Sequence, residues 1–199
     1  MKPYLLGITG GIGSGKSTVS KIFEVLDIKI YQSDDMAKYL MENDNKLISS
    51  IINSFGEESY IDGKINKEYI SKNVFYDKEK LKTINNLVHP VVINDFKKWC
   101  LINKNEKILI KEAALLFASK SYKELDFIIY VYAEKKLRIS RILKRDSHRT
   151  KDQIEHIIKS QLTDKESFEK ANYILENNEK SLLLPEVIDL YEKIRKKVR

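Results

Sequence analysis

Eight residues near the amino end, Gly10-Gly11-Ile12-Gly13-Ser14-Gly15-Lys16-Ser17, constrain this chain more than any other stretch. Their glycines allow the backbone to turn tightly and to aim its N–H groups inward. The segment fits G-x-x-x-x-G-K-[ST], a loop whose amides cradle phosphate oxygens. A mostly apolar run of strand length, Tyr4 to Thr9, precedes it, and Val19, Ile22, Phe23 and Leu26 follow at helical spacing. Strand, loop and helix is the order such a cradle requires, because the helix brings its positive dipole end to the anion. Gly11, Gly13, Ser14, Gly15, Lys16, Ser17 and Thr18 are therefore the candidate ATP-binding residues. Lys16 is expected to reach the β- and γ-phosphates and Ser17 to hold Mg2+ through its hydroxyl, while Thr18 supports the helix start. The bland alternative, a plain turn, leaves a lysine buried without an anion, which is costly.

A chain of 199 residues favours one compact unit with insertions over two independent domains. With one cysteine, Cys100, no intrachain disulfide forms, which fits a reducing compartment. No long apolar signal segment and no run of transmembrane length is present, so a cytoplasmic protein without a membrane partner is expected. The net charge of +7 suits nucleic acid or polyphosphorylated small molecules alike. No zinc knuckle or RNP-type strand pair supports specific nucleic-acid binding. Three scattered histidines and one cysteine make no zinc site, and His148 and His156 are unremarkable.

Further strands are expected at 29–32, 107–111, 126–132 and 171–176, with helices near 36–41, 47–55, 67–86, 134–145, 150–162 and 182–199. Asp62-Gly63 marks a turn. His89-Pro90 breaks or starts a helix that runs toward Leu101. Strands separated by helices indicate an α/β fold, an open parallel sheet flanked by helices.

Asp34 follows the second strand, and ligands in such sheets sit beyond the carboxyl ends of strands. A carboxylate there can accept a proton from an attacking hydroxyl, or orient it. It can equally cap a helix, as can Ser33 and Asp35. Arg138, Arg141 and Arg145 lie three and four apart on one helix face, where they converge on a triphosphate as a lid or are simply solvated. His89 is a cap, a packed polar residue or an acceptor contact.

The chain resembles dephospho-CoA kinases over nearly its whole length. The resemblance begins with Gly7 to Thr18 and continues through Asp34, Met36-Ala37, Leu87-Val88-His89-Pro90 and Glu112-Ala113-Ala114-Leu115-Leu116-Phe117. It then takes in Asp126, Arg141, Arg145, Gln161 and Ala171 to Asn177. It implies a P-loop NTP-hydrolase or nucleoside-kinase-like core over 1–199, with an acceptor-binding helical region at about 55–100 and a lid at about 138–155. It implies ATP-Mg phosphorylating the ribose 3′-hydroxyl of dephospho-CoA to give coenzyme A and ADP, the last step of coenzyme A biosynthesis. Asp34 is then the acceptor-activating carboxylate, with Lys16 and Arg145 stabilising the phosphoryl group. Arg141 and Asn177 bind ATP, Asn177 near the base, and His89 helps hold the acceptor. The chain departs from the family at Gln32 and Ala118, where acidic residues are common. It departs also at Ala114, where proline is common, at Arg138, where glutamine is, and at Asn172, where aspartate is. Glu112 is a possible replacement for the charge missing at Ala118.

A nucleoside or nucleotide kinase shares Lys16 and the lid but takes another acceptor. A regulatory nucleotide switch needs paired switch loops, which are not evident. A non-catalytic scaffold gives Lys16, Asp34 and Arg145 no common reason to coexist. Monomer and homo-oligomer both remain open.

Overall fold

The structure, a computed structural model, describes residues 2–75, 77–146 and 149–198. Along the chain β1 (Tyr4–Thr9), α1 (Lys16–Val25) and β2 (Lys29–Gln32) come first. They are followed by α2 (Ser33–Asn43), α3 (Asn45–Phe55), β3 (Tyr60–Ile61), β4 (Lys64–Ile65), α4 (Lys67–Phe75) and α5 (Lys78–Ile102). The remainder comprises β5 (Ile108–Glu112), β6 (Phe127–Tyr132), α6 (Lys135–Arg145), α7 (Lys151–Ser160), α8 (Asp164–Lys170), β7 (Tyr173–Glu176) and α9 (Leu183–Lys197). Two compact units result, Met1–Gln32 with Asn103–Arg199, and Ser33–Ile102.

The first unit is built on a parallel sheet in the order β2-β5-β1-β6-β7, so β1 is central and its carboxyl end feeds the glycine loop. Its three inner strands, β5, β1 and β6, are buried on both faces, as the centre of a parallel sheet requires, while the edge strands β2 and β7 each expose part of their length. On one face Leu6, Ile8, Ile108, Ile110, Ile129 and Val131 pack with Val19 and Phe23 of α1 and with Val187, Leu190 and Ile194 of α9. On the other, Ile128 and Tyr130 pack with Ala113, Leu116 and Phe117. Two strand starts use the same device. Asp126 accepts from Leu5 N–H at 2.8 Å while its own N–H donates to Leu5, and Asn172 does the same for Ile128 at 2.8 Å. Asn172 thus keeps the acceptor oxygen that an aspartate would supply.

The second unit is mostly helical. Asp44 caps α3 through Lys46 and Leu47 N–H. Asp62 and Gly63, both at positive φ, close the β3-β4 hairpin in the backbone conformation that two-residue hairpin turns favour. The helix expected over 67–86 is divided, because Asp77 accepts from Glu79 and Lys80 N–H and starts a new helix there. Tyr76, within that expected helix, lies outside the described residues. Pro90 neither breaks nor starts a helix: it lies inside the 25-residue α5. Pro costs a helix interior roughly 3 kcal/mol. The stripe Ile84, Val88, Val92 and Phe96, buried on both sides of it, offsets that cost.

Candidate active site

Side chains hydrogen-bonded to its backbone hold the glycine loop on two flanks. Gly15 adopts φ 98 and ψ 23, a left-handed conformation that L side chains resist, and ends the loop as the N-cap of α1. Its carbonyl accepts from Thr18 and Val19 N–H, which opens the helix. Lys16 folds back over the loop, its ammonium donating to the carbonyls of Gly10 at 3.1 Å and Gly11 at 3.5 Å. Ser17 and Thr18 are exposed on the first turn of α1, and Ser14 is buried.

On one flank Asn177 donates to the Ser14 carbonyl at 2.9 Å, and its Nδ2 occupies the space a Cβ on Gly15 would need. Arg141 donates to the same carbonyl at 3.4 Å and to the Asn177 carbonyl at 3.0 Å, while ion-pairing with Glu179 at 3.0 Å. On the other flank Ile12 N–H donates to Gln161 Oε1 at 3.1 Å, and Ile12 C=O accepts from Arg138 Nε at 2.9 Å.

The three arginines that share a face by spacing therefore have different partners. Arg138 is 4% exposed and braces Ile12 from behind, so close that no side chain fits on Gly11. Arg141 lies beside Ser14 and Asn177. Arg145 forks onto the carboxylate of its neighbour Asp146, both bonds at 2.9 Å, and remains mostly exposed. His148, in the same stretch, lies outside the described residues.

A cavity of about 210 Å³ opens beside the loop, lined among others by Gly10, Gly11, Ala114, Ala118, Tyr130 and Gln161. Tyr130 donates to Asp164 at 2.9 Å, and burial, then Asp164, pushes its phenol up to about 12. Sequence reasoning missed Tyr130, since its position in Phe127-Ile-Ile-Tyr-Val-Tyr132 reads as core. Ala114 and Ala118 leave this wall short and apolar. Glu112, at the carboxyl end of β5 and in register with Ile8, is 8% exposed, so a buried carboxylate stands beside the strand that feeds the loop. Gln32, in register with Glu112, donates to Glu24 at 3.3 Å.

Asp34 and His89 belong to the second unit. Asp34 is exposed in the first turn of α2, two residues beyond the end of β2, and His89 is half-buried in α5. Among the described residues no group of three or more His, Cys, Asp or Glu is arranged to hold a metal, and no helix is long and apolar enough to cross a membrane.

The sequence model of a family described as dephospho-CoA kinase matches residues 4–182. The dephospho-CoA kinase of Bacteroides fragilis is 34% identical over 193 residues, 95% of this chain and 94% of that protein. That of Fusobacterium nucleatum is 36% identical over 197 residues, 98% and 97% respectively. Among solved structures, a dephospho-CoA kinase from Campylobacter jejuni superposes with a TM-score of 0.71 at 25% identity, covering 98% of each chain. A shikimate kinase from Acinetobacter baumannii shares the fold alone, with a TM-score of 0.57 at 16% identity over 98% of this chain and 94% of that one. With the loop, its two flanking braces and the parallel sheet in place, this chain belongs to the dephospho-CoA kinase family.

Proposed function

We propose that the chain transfers the γ-phosphoryl group of ATP to the ribose 3′-hydroxyl of dephospho-CoA, giving coenzyme A and ADP in the cytoplasm. The observation that carries this reading is the loop itself: Lys16 is drawn over its carbonyls, and α1 begins at Gly15, so an ammonium and a helix N-terminus meet at one concave backbone. Gly11, Gly13, Ser14, Gly15, Ser17 and Thr18 surround the phosphates. Arg141 and Asn177 stand on the nucleotide side, where the base is held. Asp34 takes the proton of the acceptor hydroxyl or orients it, supported by its place directly beyond a strand of the sheet. Lys16 and Arg145 offset charge on the group in flight; for Arg145 this needs exchange of its exposed bond to Asp146 for a phosphate oxygen. The helical region at about 55–100, with His89, binds the acceptor, and the stretch around 138–155 is the lid.

The donor set fits magnesium that arrives with the nucleotide. Ser17 offers a hydroxyl at the loop and Glu112 a buried carboxylate at the adjacent strand end, hard oxygen donors suited to this ion. When bound, the ion neutralises charge on the β- and γ-phosphates.

Purified protein incubated with ATP-Mg and a panel of acceptors tests the reading. Phosphorylation of dephospho-CoA is expected, with much weaker transfer to free nucleosides; ADP formed without coenzyme A would reject the acceptor.

A further inference from the structure

The structure assigns Arg138 as a positioning residue of the phosphate-binding loop, acting through the peptide between Ile12 and Gly13. The inference rests on the loop's reading as an ATP site.

The peptide bonds are trans, so each C=O and the N–H of the next residue point to opposite sides of their plane. Arg138 Nε holds the Ile12 carbonyl at 2.9 Å from outside the loop. The Gly13 N–H is thereby turned the other way, toward the concave side. In the preceding peptide the Ile12 N–H goes outward to Gln161 Oε1, and the Gly11 carbonyl faces Lys16. Arg138 also donates to that Gln161 oxygen at 3.0 Å, so one fork fixes both peptides flanking Ile12.

The fork is itself braced. Its remaining nitrogen lies 3.8 Å from Asp164, which receives the Tyr130 hydroxyl at 2.9 Å. A guanidinium is suited to this: its planar donors meet a carbonyl, an amide oxygen and a carboxylate at once, where an ammonium serves fewer in fixed directions. Being buried, it makes bonds that water does not compete for. Asn177 and Arg141 do the equivalent on the other flank, holding the Ser14 carbonyl and turning the Gly15 N–H inward. The loop's anion-binding amides are thus set from two sides before nucleotide arrives.

Arg138→Met, Arg138→Lys and Gln161→Leu test this, with ADP affinity by calorimetry, KM for each substrate and Tm. Arg138→Met is expected to weaken ADP binding and raise KM for ATP roughly tenfold, the loss expected for hydrogen bonds to a charged group. KM for dephospho-CoA should stay within twofold. Arg138→Lys should restore little, since charge without the fork does not fix the peptides. Gln161→Leu should resemble Arg138→Met, and the double variant should be no worse than the poorer single one. If Arg138→Met does not fold, Arg138→Lys and Gln161→Leu carry the test. ADP affinity within twofold of the parent in the folded variants overturns the assignment, as does a parallel rise of both KM values with a fall in Tm. A parent protein that binds no ADP overturns the ATP-site reading itself, before any variant is compared.

Discussion

Substituting Gly15 by alanine perturbs the loop through two separable effects. At φ 98 a Cβ strains the backbone by about 1–2 kcal/mol. The same Cβ overlaps Asn177 Nδ2, the free end of a side chain, which must swing away and release the Ser14 carbonyl. That hydrogen bond contributes about 1 kcal/mol. Together these amount to about 2–3 kcal/mol, or roughly 30- to 150-fold in an equilibrium, since 1.4 kcal/mol is a factor of ten. ATP affinity of Gly15→Ala, measured by calorimetry, should fall by that range. Asn177→Ala alone should lose about fivefold, the hydrogen bond without the strain. In the double variant the overlap is already gone, so the combined loss should fall short of the product of the two. Gly15→Ala binding ATP within twofold of the parent would refute both the strain and the overlap.

Lys16→Ala should lower turnover about 100-fold or more, the loss typical of removing one donor to developing charge; a parent-like rate would remove Lys16 from the phosphate site. Tyr130 has its phenol raised to about 12 in the folded state against 10.0 as the reference. Its neutral form therefore contributes stability that is complete below about pH 10 and lost as pH rises toward 12. Tyr130→Phe should flatten alkaline unfolding over that window and remove one late-titrating phenol from the absorbance titration near 295 nm; an unchanged late phase would contradict the burial argument. Pro90→Ala should stabilise the protein by about 1–3 kcal/mol, because it restores a helix donor at an exposed position within α5; a lower Tm would mean that the proline fits this helix better than alanine.

The strand, glycine loop and helix were legible because their signals are local: turn residues, an apolar run and helical spacing. Asp62-Gly63 was legible for the same reason. Pro90 was not, since a helix carried through a proline depends on Ile84, Val88, Val92 and Phe96 finding partners far away in sequence. The seven-residue α8 was too short to show a period, although Thr163 and Glu166 form a capping box at its start. Strand order, with β1 between β5 and β6, is set by tertiary packing and left no local trace. Spacing placed Arg138, Arg141 and Arg145 on one face, but burial separated them: Arg138 lies behind the loop, Arg141 on its flank and Arg145 in solvent beside Asp146. The role of Asn172 left no local trace either, since its side-chain oxygen finds Ile128 N–H on a strand 44 residues away.

The most direct test is a single-turnover measurement of phosphoryl transfer from ATP-Mg to dephospho-CoA, both saturating, in the parent and in Asp34→Asn. Loss of a positioned base predicts a transfer rate lower by about 100-fold or more, with ATP affinity unchanged. Transfer at the parental rate by Asp34→Asn would contradict the account.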